Sequence, residues 1–277
     1  MKRILNWTVI IFGGLFALVV IAGLVLYPIG MKKLNRTYPN LAVESVNIPT
    51  DADAVARGRH IATIWACTRC HSEDLSGMAF TNDPLSGLVP LGGTISASNL
   101  TSGKGGIAAA YTNLDWVRAI RHGVTPDGSV EVFMFDYSTM SDQELGDLIA
   151  YLKQVPPVEA SYPEIRYGSV VPVVSNIGLL MPAAERIDYG VAHVADPTPG
   201  ATDEYGRYLS VICTACHGNS IGNSVRTWKQ EEFIHTFRTG VLPDGEGFGP
   251  TMSSNTFREM TDTELTALWL FFTSNKP

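Results

Sequence analysis

The chain has 277 residues, of which 45% are hydrophobic and 17% are charged, and its net charge is −7. This length allows two modest domains, and the hydrophobic fraction is typical of a globular protein rather than a disordered one. The acidic balance argues against nucleic acid as a partner, because phosphate binding needs clustered lysine and arginine. An anionic surface suits a partner with a basic patch, and it equally suits a surface that is simply solvated.

The N-terminal segment predicts a membrane anchor. Lys2 and Arg3 precede an apolar run from Trp7 to Leu26, and about 20 such residues are needed to cross a bilayer as a helix. A cleaved signal peptide has a shorter apolar stretch and a small-residue cleavage site, which does not follow here. A buried core helix fits less well, because the run has no polar face. We therefore predict a transmembrane anchor over residues 1–29 and a spacer over residues 30–50.

Three blocks of sequence occur twice in the same order, which indicates two copies of one domain. In the first and the second copy respectively, the blocks are Gly58-Arg59-His60-Ile61 and Gly206-Arg207-Tyr208-Leu209, Asp115–Gly128 and Glu232–Gly245, and Met140–Leu145 and Met260–Leu265. The repeats predict a first domain over residues 51–157, a linker over residues 158–202 and a second domain over residues 203–277.

Helix signals agree between the two copies. Each copy has a predicted capping box, followed by apolar residues at helical spacing, and an amphipathic segment that ends at a glycine. The capping boxes are Ser141 with Glu144 and Thr261 with Glu264, and the amphipathic segments are Trp116–Arg121 before Gly123 and Phe233–Arg238 before Gly240.

The remaining segments predict little regular structure. Residues 77–106 are rich in Gly, Ser and Pro and are typical of loops, and Val170–Val174 is a candidate short extended piece in the linker. The predicted fold class is therefore all-α, with two small helical domains in tandem after an N-terminal transmembrane helix.

All four cysteines lie in two Cys-x-x-Cys-His motifs. This is the attachment sequence for c-type haem. Two thiols about one helical turn apart can each add to a vinyl group on one edge of the porphyrin, and the next imidazole can then reach the iron. The sequence therefore predicts two covalently bound haem c groups, with thioether bonds at Cys67, Cys70, Cys213 and Cys216 and proximal ligands His71 and His217.

Three other sites would use the same residue types. A thioredoxin-like redox pair needs a βαβ context, which the sequence does not predict. A zinc site would need further ligands in each half, and neither half has a second cysteine pair. A structural disulfide within each motif is the third alternative. Recurrence of the complete motif in matching repeats favours haem.

The sixth iron ligand of such a haem is usually methionine or histidine. Met252 in a loop of the second copy and Met134 in the matching interval of the first are the predicted distal ligands, with Met140 as the rival of Met134. Met140 and Met260 each precede a capping residue, which predicts packing at a helix start. Met78 follows its haem motif too closely to be favoured. Core packing is the alternative role for all of these methionines.

For the remaining histidines and for two repeated arginines, the sequence predicts roles less specifically. The histidines outside the motifs are predicted to have surface or packing roles, and these are His60, His122, His193 and His235. His60 and His122 are replaced by Tyr208 and Thr239 in the second copy. Arg121 and Arg238 recur before Gly-Val, so they are candidates for pairing with haem propionates. A solvated arginine at a helix end is the alternative.

These residues resemble the class I cytochrome c family in tandem, and in particular the cytochrome c subunits of membrane-bound alcohol, aldehyde and gluconate dehydrogenases. The resemblance covers about residues 50–157 and 203–275. Besides the Cys-x-x-Cys-His motifs, it rests on Ser98-Asn99-Leu100-Thr101, Arg121-His122-Gly123-Val124, Pro126-Asp127-Gly128, Ser141-Asp142 and Tyr151-Leu152.

The resemblance implies a function as well as a fold. The chain would accept electrons from a dehydrogenase or a quinol-linked complex and pass them to an oxidase, a soluble cytochrome or another carrier. Two features depart from the family. The usual Met-Pro at the distal ligand is replaced by Met134-Phe135 and Met252-Ser253, and the subunits commonly hold three haems, whereas this chain has two motifs.

We therefore predict an electron-transfer protein without substrate chemistry of its own. The alternative is a dihaem enzyme, such as a cytochrome c peroxidase, in which one haem is open because Met134 is not a ligand and Glu131 or Asp136 acts as acid or base. A haem-based sensor would normally carry a signalling domain. Because haem is attached outside the cytoplasm, we expect a single-pass protein of the bacterial inner membrane with its haem domains on the periplasmic face.

Overall fold

A long helix forms at the N-terminus, as the apolar run predicts. The computed structural model describes residues 2–80, 93–176, 178, 182–187, 195–218, 221–249, 252 and 254–274. Helix α1 spans Lys2–Leu34 and contains a candidate membrane span, Asn6–Leu34, whose most apolar stretch has a mean hydropathy of 3.0 and is not buried. The helix continues through Pro28 to Leu34, beyond the anchor boundary at residue 29 that the sequence predicts.

Within its described residues, the first repeat contains four helices and a two-stranded sheet. The helices are α2 (Ala52–Ile64), α3 (Cys67–His71), α4 (Asn113–His122) and α5 (Asp142–Leu152). Strands β1 (Met78–Ala79) and β2 (Ser96–Ala97) pair antiparallel, with Met78 opposite Ala97. Thr112 caps α4 in a complete capping box, and Gly123 ends it with a φ of 61°. The amphipathic helix before Gly123 is thereby confirmed.

The linker and the second repeat contribute the remaining helices. The linker contains α6 (Val171–Ser175) and α7 (Ala183–Arg186), and the second repeat contains α8 (Asp203–Leu209), α9 (Val211–His217), α10 (Ile221–Val225), α11 (Gln230–Thr239), α12 (Ser254–Arg258) and α13 (Asp262–Ser274). The extended conformation predicted for Val170–Val174 is wrong. A helix forms there because Pro172 occupies its first turn, where the missing N–H costs nothing, and because α6 packs on α1.

In both repeats the first helix crosses the last helix at a glycine. Helix α2 packs against α5, and α8 packs against α13. A Cβ atom on Gly58 would lie 2.0 Å from the Asp147 carbonyl oxygen, and one on Gly206 would lie 1.9 Å from the Ala267 carbonyl oxygen. Only glycine permits this backbone approach, which explains why both copies carry Gly-Arg at this position.

The two repeats share one hydrophobic core. It contains Trp65, Leu145 and Met140 from the first repeat and Tyr208 and Leu265 from the second. Met140 and Met260 are 0% and 1% exposed, which confirms their predicted packing at helix starts. The mostly helical architecture with an N-terminal apolar helix agrees with the predicted fold class.

A second, smaller core attaches helix α1 to the first repeat. Leu34 at the end of α1 packs with Val124 and Val130 of the first repeat and with Val171 of α6. Gly30 allows the α6 backbone to approach closely, since a Cβ atom there would lie 1.7 Å from the Pro172 carbonyl oxygen. Helix α1 is therefore held against the first repeat by packing as well as by the chain.

Residues 36–48, which we call the strap, pack along the first repeat instead of forming a loose spacer. The Tyr38 amide donates to the Gly128 carbonyl at 2.7 Å. Farther along, Val43, Val46 and Ile48 pack against the main core. The Glu44 carboxylate meets Arg121 at 2.7 Å. The strap is therefore part of the folded first repeat.

Candidate haem-attachment sites

The first Cys-x-x-Cys-His motif forms its own short helix between two left-handed residues. Ala66 precedes α3 with a φ of 61°, and Ser72 follows it with a φ of 69°. These turns isolate α3 from α2, so that the two thiols and the imidazole project from a single helical turn. Cys67 and Cys70 are half-buried and carry no disulfide. This is the local geometry that attachment to a porphyrin edge requires.

His71 is held in one orientation by the backbone. Its Nδ1 donates to the Ser98 carbonyl at 2.8 Å. Burial lowers the pKa of His71, although this hydrogen bond opposes the shift. A neutral ring that donates from Nδ1 presents the lone pair of Nε2, which is the form that binds a metal. The donor set of the first motif therefore fits a haem iron.

The Ser98–Thr101 segment is a rigid scaffold for that carbonyl. The Asn99 side chain is 1% exposed, accepts from the Thr101 amide at 2.9 Å and donates to the Val158 carbonyl at 2.7 Å. The Thr101 hydroxyl donates to the same Asn99 oxygen at 2.8 Å. This role could not be predicted from the sequence, because the acceptor of His71 is a main-chain oxygen without a side-chain signature.

The second motif lies at the end of α9 and is more open. Cys213 is 4% exposed, whereas Cys216 and His217 are exposed. Gly218 ends the helix with a φ of 57°. Burial raises the pKa of the first cysteine in each motif, Cys67 and Cys213, to about 12. A reactive thioredoxin-like pair needs a lowered thiol pKa, so these environments argue against that alternative.

The predicted distal methionines lie at the edge of the main core. Met134 and Met252 are both half-buried and pack against the main core. Met140 is completely buried, and its carbonyl accepts from Arg121 at 2.9 Å. The immediate neighbours of Met252, at positions 251 and 253, lie outside the described residues.

Arg121 and Arg238 bind protein acceptors. Arg121 is 2% exposed and meets both Glu44 and Asp142 at 2.7 Å. Arg238 meets Asp262 at 2.7 Å and also donates to the Arg258 carbonyl. Both arginines therefore have protein partners, and their pairing with haem propionates stays a prediction.

The candidate acid and base of the enzymatic alternative are Glu131 and Asp136. Burial raises the pKa of Glu131, and its amide donates to the Gly123 carbonyl at 2.8 Å. Asp136 accepts from the Ser138 amide at 2.9 Å, which closes a turn. Among the other histidines, His122 is buried beside Glu44 and His60 contacts Glu264, in agreement with packing roles, and His193 lies outside the described residues.

Two reciprocal contacts join the repeats between the two motifs. His60 on α2 meets Glu264 on α13 at 2.8 Å, and Tyr208 on α8 donates to Glu144 on α5 at 2.7 Å. These are the same two sequence positions in opposite repeats, so the interface is pseudo-symmetric. Trp65, two residues before Cys67, packs edge-on against Tyr208 with ring centroids 5.6 Å apart.

The interface pairs have unusual protonation behaviour. Burial raises the pKa of Glu144 to about 7, despite the hydrogen bond from Tyr208. The hydrogen bond to Glu264 raises the pKa of His60. Burial opposes ionisation of Glu264, but hydrogen bonds from His60 and the Thr261 amide lower its pKa overall. Glu144 is therefore protonated in the folded protein at pH values where an ordinary glutamate is ionised.

We expect the interface to be most stable near pH 4.5 and to weaken as the pH rises towards 7. The contribution of Glu144 is complete below its ordinary pKa of 4.5 and is lost as the pH rises through about 7. The contribution of His60 to stability is likewise lost as the pH rises above its ordinary pKa of 6.5. The contribution of Glu264, in contrast, is lost as the pH falls below its ordinary pKa of 4.5. Glu144→Gln should therefore raise the free energy of unfolding by about 1–3 kcal/mol at pH 8, with little change at pH 5.

Urea unfolding of the haem-loaded chain at both pH values checks this expectation. Glu204→Gln, at an exposed position on α8, is the matched control and should change stability equally at pH 5 and pH 8. A Glu144→Gln variant whose stability difference from the unmodified chain is the same at both pH values would contradict the assignment.

Two helical repeats, each with a Cys-x-x-Cys-His motif on a short helix, are the arrangement expected of a c-type cytochrome. In agreement with this, residues 55–156 match the family described as Cytochrome c. This region contains a cytochrome c domain, for which covalently bound haem c is expected.

The chain is similar to cytochrome subunits of dehydrogenases. It is 24% identical to the fructose dehydrogenase cytochrome subunit of Gluconobacter japonicus, over 82% of this chain and 54% of that protein. It is 32% identical to the gluconate 2-dehydrogenase cytochrome c subunit of Pantoea cypripedii, over 38% of this chain and 24% of that protein. It is 28% identical to the alcohol dehydrogenase (quinone) cytochrome c subunit of Gluconacetobacter polyoxogenes, over 60% of this chain and 36% of that protein.

These relatives confirm the resemblance predicted from the sequence. The chain spans about half the length of the fructose dehydrogenase subunit and less of the other two. All three are named as cytochrome subunits rather than catalytic subunits, which agrees with the prediction of an electron-transfer protein.

Proposed function

We propose that this chain is a membrane-anchored dihaem cytochrome c that carries electrons from a dehydrogenase to a further acceptor on the periplasmic face of a bacterial inner membrane. The observation that carries the proposal is the repeated Cys-x-x-Cys-His helix, together with the hydrogen bond that fixes His71. The dehydrogenase as donor follows from the names of the relatives. A quinol-linked donor and an oxidase or soluble cytochrome as acceptor are compatible with the same chemistry.

The chain's own residues would hold each haem in the same way. Cys67 and Cys70 would bind the first porphyrin, and Cys213 and Cys216 the second. His71 and His217 would be the proximal ligands, with Met134 and Met252 as distal ligands. Bound haem supplies an iron that changes its charge by one without making or breaking a bond to substrate. The fold would keep the iron environment apolar and the ligands fixed, so that little rearrangement accompanies each electron.

Haem counting tests the proposal directly. The chain, expressed in a bacterium that matures cytochromes c, should carry two covalently bound haems by intact mass. Cys67→Ser/Cys70→Ser and Cys213→Ser/Cys216→Ser should each leave one. Ser72→Ala/Ser76→Ala, which leaves all four thiols in place, should keep two. A mature chain with free thiols and no added mass would overturn the assignment.

The distal ligands can be tested separately. Met134→Leu should remove the methionine–iron charge-transfer band of one haem, whereas Met140→Leu should keep it, because Met140 is wholly buried in the core. Loss of the band in Met140→Leu, with Met134→Leu unaffected, would transfer the ligand role to Met140. A spectrum without such a band from either haem would exclude methionine ligation altogether.

A further inference from the structure

The two repeats contain the same hairpin after their amphipathic helix. Helix α4 ends at Gly123 and α11 at Gly240. In the first hairpin Val124 bridges antiparallel to Val130, and in the second Val241 bridges antiparallel to Gly247. The hydrogen bonds across the two turns also correspond, from Thr125 to Ser129 and from Leu242 to Glu246. The two hairpins can therefore be compared position by position.

In the first repeat the strap covers this hairpin. Thr37 forms an antiparallel bridge with Ser129. A Cβ atom on Gly128 would lie 3.1 Å from the Pro39 nitrogen. Val124 is 0% exposed as a result. The strap therefore covers the hairpin surface of the first repeat.

In the second repeat the corresponding surface is open. Val241 is 39% exposed, and the Arg238 side chain is 31% exposed where that of Arg121 is 2%. Around a Cβ atom on Gly245, no atom of the described residues lies within 4 Å. Thus three positions that are closed in the first hairpin are accessible in the second.

The open surface has an apolar centre and an acidic rim. Val241 is flanked by the exposed carboxylates of Asp244 and Glu246 on the hairpin. Asp262, which is 80% exposed and meets Arg238, extends the rim at the start of α13. The basic residues there are Arg238, which is paired with Asp262, and the exposed Arg258. The first hairpin differs, because Ser129 stands where Glu246 stands in the second.

We propose that this hairpin face of the second repeat, formed by Arg238, Val241, Asp244, Gly245 and Glu246, is the docking surface for a basic redox partner protein. The proposal rests on the proposed function and assigns the exchange of electrons with that partner to the second repeat. Complementary charge speeds the encounter of such partners, and a small apolar centre suits a complex that must dissociate after each electron. The first repeat cannot use the same face, because the strap covers it.

Electron transfer to a basic soluble ferricytochrome c tests the proposal. The haem-loaded chain is reduced with dithionite, freed of excess reductant and mixed with the acceptor at several salt concentrations. One electron leaves the reduced chain and reduces one ferric acceptor, with no bond made or broken. Asp244→Lys/Glu246→Lys should lower the second-order rate constant at least tenfold at low salt and flatten its salt dependence.

The matched control carries the same change of charge elsewhere on the second repeat. Glu204→Lys/Glu231→Lys, at exposed positions of α8 and α11, should leave the rate within about twofold of the unmodified chain, since the charges lie away from the docking site. If the rate constant falls equally in both variants, net charge rather than the position of the charges sets the rate, and the proposal is overturned. Unchanged midpoint potentials in both variants would show that docking, not driving force, has changed.

Two further measurements distinguish a docking surface from a failed electron carrier and from a dimer interface. If the reduced chain cannot reduce ferricyanide, which needs no specific docking, the proposed electron-carrier function itself fails. If the chain dimerises in sedimentation experiments and Val241→Asp abolishes the dimer, the face is occupied by a second copy and the partner proposal is wrong.

Discussion

Gly58→Ala should unfold the first repeat, and Gly206→Ala should unfold the second. At Gly58 the new methyl group would lie 2.0 Å from the Asp147 carbonyl oxygen and 2.8 Å from the Cβ atom of Tyr151. At Gly206 it would lie 1.9 Å from the Ala267 carbonyl oxygen. These neighbours are backbone or the first atom of a side chain, so a rotamer change cannot relieve the overlap. The helices must separate, at a cost of about 3 kcal/mol or more.

The loss should be greatest in the repeat that carries the substitution, and it should be visible in the haem content. A small domain has little stability to spare, so separation of its two main helices should prevent haem attachment there. Each variant should then carry one haem instead of the proposed two, and circular dichroism should show reduced helicity. Gly200→Ala is the control, because its methyl group would meet only Thr202, at an ordinary 3.6 Å. Wild-type stability in Gly58→Ala would show that the crossing is more adaptable than its geometry indicates.

Local features of the fold could be predicted because their signals lie within a few residues. Gly123 and Gly240 end their helices in the left-handed region, as the Gly-Val pattern predicts. At the start of α13, Thr261 and Glu264 form the predicted capping box, with amide-to-oxygen distances of 2.6 and 3.2 Å. Such caps depend on neighbours three residues apart and not on the tertiary fold.

Glu144 shows where local prediction stops. Ser141 accepts from the Glu144 amide at 3.2 Å, which is one half of the predicted box. The Glu144 carboxylate, however, accepts from Tyr208, which is 64 positions later in the sequence. The partner of His60 is 204 positions away. No periodicity or cap signals such pairs, so the interface between the repeats could not be foreseen.

The strap was missed for a related reason. Pro39 and Pro49 predict an extended segment without helical or strand periodicity, which is also the signature of a spacer. What fixes the strap is the contact of Glu44 with Arg121, 77 positions later, and the shape of the hairpin beneath it. The candidate haem residues were different, because their spacing is set by the porphyrin and is therefore visible in five consecutive residues.

Glu44→Ala should destabilise the first repeat by about 2–4 kcal/mol, because it leaves a buried arginine with one carboxylate fewer. Glu44 meets Arg121 at 2.7 Å and His122 at 3.0 Å. Burial opposes its ionisation, yet the hydrogen bonds from these two residues lower its pKa to about 2. Its contribution should therefore be present above pH 4.5 and disappear as the pH falls towards 2. Urea unfolding measures the loss, with Glu73→Ala at an exposed position as control.

The second repeat supplies the decisive comparison for this prediction. Arg238 occupies the position of Arg121, but its side chain is 31% exposed and its carboxylate partner Asp262 is 80% exposed. An exposed pair of this kind contributes roughly 1 kcal/mol or less. Arg121→Ala should thus be several times more destabilising than Arg238→Ala, although the two residues are equivalent in sequence. Similar losses would mean that the strap does not bury Arg121 in solution.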